Sequence, residues 1–148
     1  MEDLKYNELI QQYIAWNEYG RLLGMDFAIP KAGEVQYEMT IKDLHLATPF
    51  AAHGGSVASL MDAALGVAAL SQVCSSGKIV STVSITINYM RPALNNDHLT
   101  AVARVVKSGK SLLFVECTIT NQNQLQIASG SAVMNAYPVE KANYSKVV

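Results

Sequence analysis

The stretch His53-Gly54-Gly55-Ser56-Val57-Ala58-Ser59-Leu60-Met61-Asp62-Ala63-Ala64-Leu65-Gly66-Val67-Ala68-Ala69-Leu70-Ser71-Gln72-Val73-Cys74 decides the architecture. It is rich in alanine and leucine and apolar on nearly every face, and a helix apolar all round is one buried on all sides. The two glycines after His53 set its start, and Ser75-Ser76-Gly77 ends it. Some twenty residues at about 1.5 Å each give a rod of about 30 Å, the width of a small domain. The spacing therefore predicts a central helix over residues 53–74.

Outward from that helix the period changes. After Lys78, Val83, Ile85, Ile87 and Tyr89 alternate with Thr82, Ser84, Thr86 and Asn88, a strand closed by Arg91-Pro92. Strand-like segments follow at His98–Val106, Leu112–Thr120 and Leu125–Tyr137, separated by the turns Ser108-Gly109-Lys110 and Asn121-Gln122-Asn123. On the other side, Met25–Ile29 and Glu34–Ile41 flank Pro30-Lys31-Ala32-Gly33 and read as a hairpin. Leu4, Ile10, Tyr13, Ile14, Trp16 and Tyr19 recur at near-helical spacing, which predicts one N-terminal helix over residues 3–19 stopped by Gly20. The expectation is one α+β domain over residues 1–148, with an extra helix within residues 1–20 and one long helix wrapped by an antiparallel sheet.

Composition narrows the function classes. The chain has 148 residues, of which 50% are apolar and 16% charged, enough to bury a core and too apolar for disorder. Eleven basic residues against twelve acidic ones give a net charge of −1. This balance lacks the basic surplus of a nucleic-acid binder or a polybasic membrane anchor. Met1-Glu2-Asp3-Leu4-Lys5 does not have the layout of a secretion signal, and no apolar run is expected to span a bilayer. Cys74 and Cys117 are isolated among apolar residues and read as buried thiols. A cytoplasmic protein is expected.

Asp62 is the most informative residue. Between Asp43 and Lys78 it is the only acidic or basic side chain, histidines aside, and it lies within the helix expected to be most buried. A buried, unpaired carboxylate costs several kcal/mol, so it is expected at a cleft or interface, with its proton affinity raised toward that of a general base. The alternative is a structural Asp, bonded to nearby backbone or exposed on one helix face. His53-Gly54-Gly55-Ser56 opens the same helix, where glycine lets backbone N–H groups approach a ligand and the first turn carries unpaired donors. An oxyanion would be stabilised there, though a tight loop-to-helix corner capped near Ser56 has the same sequence. Gly54 and Asp62 stand about 12 Å apart along the axis, so both reach one reacting atom more readily from two chains than from one. No G-x-S-x-G, P-loop, H-E-x-x-H or G-x-G-x-x-G motif occurs, and His45, His53 and His98 lack metal-ligand spacing.

His53-Gly54-Gly55, with Asp62 nine residues after the histidine on an Ala/Leu-rich helix and Asn88-Tyr89-Met90-Arg91-Pro92-Ala93 downstream, resembles the hotdog-fold acyl-CoA thioesterases, in particular the branch named after phenylacetic acid degradation. The likeness runs from Leu23-Gly24-Met25 to the final meander and is weakest over Met1–Tyr19. It implies a long helix wrapped by five or six antiparallel strands, in an obligate dimer that is often a dimer of dimers. It implies a thioester carbonyl held by the Gly55 N–H, with His53 shaping the turn and Gly54 and Ser56 beside the substrate. Asp62 from the other subunit would be general base or nucleophile, and Thr82 would hold the water or the carboxylate. Coenzyme A enters as part of the substrate, and no separate cofactor or metal is implied. Arg91, Lys107 and Lys110 are candidates for the nucleotide phosphates, with solvated surface charge as the ordinary reading of each.

The sequence departs from the family pattern at one place. An Asn or Gln that orients the attacking water often stands six residues before the histidine; here that position is Ala47, with Thr48 and His45 as possible substitutes. The leading expectation is hydrolysis of an acyl-CoA to a free acid and CoA. The rival is a non-catalytic acyl-CoA or fatty-acid binding protein using the same groove.

Overall fold

The computed structural model describes residues 3–142; Met1, Glu2 and residues 143–148 of the expected domain lie outside them. Two short helices, α1 (Glu8–Trp16) and α2 (Glu18–Leu23), lead into the hairpin β1 (Asp26–Lys31) and β2 (Glu34–Thr40). After a helical turn at Asp43–His45 comes α3 (Gly54–Val73), then β3 (Lys78–Tyr89), β4 (His98–Ser108), β5 (Leu112–Thr120) and β6 (Gln126–Pro138). The strands form one six-stranded antiparallel sheet in the order β1-β2-β4-β5-β6-β3, which wraps α3.

Strand alternation explains the core. Val35, Tyr37 and Met39 of β2, Leu99, Ala101 and Ala103 of β4, and Leu113, Val115, Cys117 and Ile119 of β5 all turn toward α3 and are buried. From the helix, Leu60, Met61, Ala64, Leu65 and Ala68 meet them, none exposing any measurable surface. Approach is closest at Gly130 of β6, where a Cβ would stand 2.7 Å from the Thr86 carbonyl and 3.1 Å from the Met61 sulfur. The Cys117 thiol is pushed up to about 12 by burial. Gly77, at φ +71°, closes the helical segment in the left-handed conformation that glycine adopts without strain.

Three sequence expectations are corrected. The N-terminal helix is broken at Asn17, which leaves the helical conformation at ψ 65° and caps α2 by accepting the Gly20 N–H through Oδ1 at 3.0 Å. Short polar side chains compete for backbone in this way. Gly20 is therefore inside α2 rather than at a stop: a Cβ there would run into the Asn17 side-chain amide, and the true stop is Gly24 at φ +73°. Arg21 seals the break by donating to the Ile14 and Ala15 carbonyls at 2.7 and 2.9 Å. Secondly, the helical segment Gly54–Ser76 is long and apolar enough by length and composition to cross a membrane, with 67% of the apolar window buried inside the fold.

The third correction concerns β3. Its alternation predicts one buried face, yet residues 81–86 are exposed on both faces, with Val83 61% and Ile85 37% exposed. β3 is the sheet's edge, paired on one side with β6, and the register shifts between Thr82 and Ser84. Edge position and the shift leave an unpaired ladder with apolar side chains on it.

Candidate active site

The motif turn is built from backbone outward. His53 lies at φ −59°, ψ 135°, outside the helix, and its Nδ1 accepts the Gly55 N–H at 2.8 Å. Nδ1 is therefore unprotonated in this arrangement, and His53 itself caps α3. The Gly55 N–H, implied by the family likeness as the donor to a thioester carbonyl, is directed at that ring. Gly54 is held from the other side by Tyr89, whose hydroxyl donates to the Gly54 carbonyl at 2.9 Å, and a Cβ on Gly54 would stand 3.6 Å from the tyrosine ring. Ser59 donates to the Gly55 carbonyl at 2.8 Å and meets the Tyr19 hydroxyl at 2.7 Å, which ties α2 to the first turns of α3.

Beneath the turn sits His45, 1% exposed. Its carbonyl accepts the His53 N–H at 2.7 Å and the Ser56 hydroxyl at 3.1 Å. Its Nδ1 accepts the Lys42 N–H at 2.8 Å, so its Nε2 donates to the Leu23 carbonyl at 2.9 Å. Both ring nitrogens are engaged with backbone, so His45 does not substitute for the missing amide at position 47. Thr48 accepts the Phe50 and Ala51 N–H groups through Oγ1 at 3.3 and 3.0 Å, which shapes the loop. Ser56 likewise points inward to His45 rather than toward a substrate.

Two turns down α3, Asp62 is exposed, on a face of the helix that opens to a cleft. Helical geometry turns this position toward the edge strand β3, while Met61, Ala64 and Leu65 are buried in the core. Its Oδ1 accepts the Thr82 hydroxyl from β3 at 2.9 Å. Both residues line a cavity of about 380 Å³ between α1 and α3, shared with Gln12, Tyr13, Asn17 and Gly66. Burial pushes the Tyr13 phenol upward, its hydrogen bond to Tyr37 opposes this, and the negative charge of Asp62 pushes it up further. Tyr13 meets the Tyr37 hydroxyl at 3.0 Å, and Asn17 Nδ2 donates to Tyr13 at 3.1 Å. Burial likewise raises Tyr37 well above the usual phenol range. Gln12, Tyr13 and Asn17 lie outside the sequence expectations because the family likeness is weakest there; the helical stripe through Tyr13 and Trp16 is the only trace of them in the sequence.

The chain brings Asp62 to Thr82 and gathers His53, Gly54, Gly55 and Tyr89, but it does not gather the basic candidates. Arg91 donates to the Gln126 carbonyl at 3.0 Å at the start of β6. Lys107 lies beside Phe114 and Lys110 in the β4–β5 turn, near the rows of Leu113 and Met134. Strand rise puts roughly 25 Å between these ends of the sheet, so the three do not form one phosphate cradle within the chain.

A long helix held in a six-stranded antiparallel sheet, with a glycine turn at its head and a carboxylate two turns below, defines a hotdog-fold thioester hydrolase. The thioesterase superfamily model matches residues 51–128, and the chain belongs to that superfamily. Acyl-coenzyme A thioesterase PaaI of Escherichia coli is 32% identical over 108 residues, covering 73% of this chain and 74% of its own. Acyl-coenzyme A thioesterase 13 of Homo sapiens is 29% identical over 117 residues, covering 78% and 81%. The solved structure of E. coli PaaI, from the phenylacetic acid degradation operon, matches with a TM-score of 0.83 at 27% identity over 91% of this chain and 94% of that one. The Streptococcus mutans protein smu.793, solved bound to acetyl CoA, matches at 0.71 with 26% identity over 77% and 89%.

Proposed function

We propose that the protein hydrolyses acyl-CoA thioesters to a free acid and CoA, at a site shared between two copies of the chain. The observation that carries this reading is the Asp62–Thr82 pair, open to a largely apolar cavity. Asp62 with Thr82 from one copy meets the His53-Gly54-Gly55 turn of the other; within one copy, Gly55 and Asp62 are about 10 Å apart along the helix. The edge strand β3, with Val83 and Ile85 uncovered, supplies the pairing surface beside Thr82.

In the reaction, water attacks the thioester carbonyl carbon while Asp62 takes its proton, and Thr82 holds the carboxylate in place. The Gly55 N–H turns from His53 to the developing oxyanion, an interaction worth around 10²–10³ in rate at comparable sites. The C–S bond then breaks, and the proton on Asp62 passes to the departing CoA sulfur. Direct attack by Asp62, through an anhydride later opened by water, uses the same geometry. Gln12 presents an amide at the cavity wall, in the role Ala47 does not fill.

The test is release of free CoA thiol from acetyl-, phenylacetyl-, octanoyl- and palmitoyl-CoA, with the native mass measured on the same sample. Turnover of at least one thioester by a species of two or more chains is expected. Tight acyl-CoA binding without thiol release would assign the chain to the non-catalytic binders; full activity in a monomer would end the shared site.

A further inference from the structure

We propose that the cavity between α1 and α3 is the acyl pocket, that Gly66 keeps its middle open, and that it takes a medium-length apolar chain; this rests on the thioesterase reading above. Asp62 stands at one end of the cavity, and Gly66 and Leu70 continue the same helix face at four-residue intervals. Leu9 and Trp16 of α1 form the opposite wall, and Ile79 and Met134 from the sheet close the rest. The pocket is thus continuous with the reacting carboxylate and largely apolar, with Gln12, Tyr13 and Asn17 as polar exceptions, as a hydrocarbon tail allows.

Gly66 gives the second line of argument. Glycine is the poorest helix former after proline, and here it sits in the middle of the central helix. A Cβ on Gly66 would meet nothing within 4 Å, unlike Gly130, where backbone and Met61 forbid one. The close approach of the helix to the sheet does not require glycine at this position. What its missing side chain leaves open is the cavity. From a carbonyl at Asp62 to the level of Leu70 the helix rises about 12 Å, the length of an extended decanoyl tail, which palmitoyl exceeds.

The experiment measures kcat/KM for acetyl-, hexanoyl-, octanoyl-, decanoyl- and palmitoyl-CoA on the wild type, Gly66→Ala and Gly66→Leu. Octanoyl or decanoyl is expected to be the wild-type optimum. Gly66→Leu should lower the ratio of octanoyl or decanoyl to acetyl turnover about tenfold or more. Gly66→Ala should raise the melting temperature and trim decanoyl first, which shows the helix intact with the pocket shortened. An unchanged length profile in Gly66→Leu, or equal losses on acetyl and decanoyl from a folded variant, would overturn the proposal. Should no thioester be hydrolysed, the thioesterase reading fails by itself, and calorimetry then decides the pocket. Octanoyl-CoA binding tighter than free CoA in the wild type but not in Gly66→Leu supports it; equal affinities refute it.

Discussion

Leu65 in the middle of α3 is fully buried, whereas Val83 on neighbouring β3 leaves 61% of its surface in solvent, although both belong to apolar, regularly patterned segments. The helix is surrounded by inward side chains of the sheet, with one stripe, Asp62-Ala63-Gly66, left open toward α1. The strand is paired along one edge only. Pattern reports which way a side chain faces; coverage depends on what the rest of the chain, or a second chain, puts opposite. The chemistry lies where the two segments meet, at the Asp62–Thr82 hydrogen bond.

The largest effect is expected from uncoupling the edge. Val83→Lys places a charge in the proposed pairing surface, so native mass should halve and turnover should fall about 10⁴-fold, because base and oxyanion donor are separated together. A dimer of unchanged activity would show that β3 is not the interface. Next comes Asp62→Asn, which keeps shape but accepts no proton; single-turnover hydrolysis should drop about 10²-fold or more. Melting temperature and acyl-CoA affinity should hold, since Asp62 is exposed; a large stability loss with intact activity per folded molecule would make it structural. Leu65→Ala, by contrast, should cost about 2–5 kcal/mol of stability by denaturant titration. Val83→Ala should cost less than about 0.5 kcal/mol under conditions that hold the chain monomeric. Equal costs would break the contrast between the two segments. The smallest change is Ala47→Asn: kcat on the best substrate should rise a few-fold with KM nearly unchanged, and no gain would point to Gln12 as the amide already serving.

Much of the architecture was legible because its signals are local. Leu112–Thr120 is bounded in the structure where its alternation and flanking turns place it, and α3 begins at Gly54 and ends at Val73, one short helical turn before Gly77. The break at Asn17 was not legible, since helical spacing continues through it and only the side-chain cap reveals it. For the site, the solitary charge of Asp62 and the glycines after His53 could be seen in the sequence, as could Thr82 through the family likeness. The exposure of Asp62 could not be, because an all-apolar helix gives no sign of which stripe its sheet leaves uncovered. Nor could the hydroxyl of Tyr89 on Gly54 or the ring of His45 on the Leu23 carbonyl, since both contacts join residues distant along the chain.

The strand order carries a consequence for how the chain comes into being. β3 is made directly after α3, yet among the described residues its one neighbour in the sheet is β6, the last strand there, and Thr82 registers with Met134. On a chain growing from its N-terminus, the carboxylate helix and the Thr82 strand emerge before β4, β5 and β6 and wait, with β3 unpaired along both edges, until β6 has been synthesised. Sheets built from such distant pairings form slowly and leave strand edges open meanwhile. The seat of Asp62 is thus fixed only once β6 is in place, and a ribosome-bound chain that stops short of β6 carries an exposed, pairing-competent strand and no half-site.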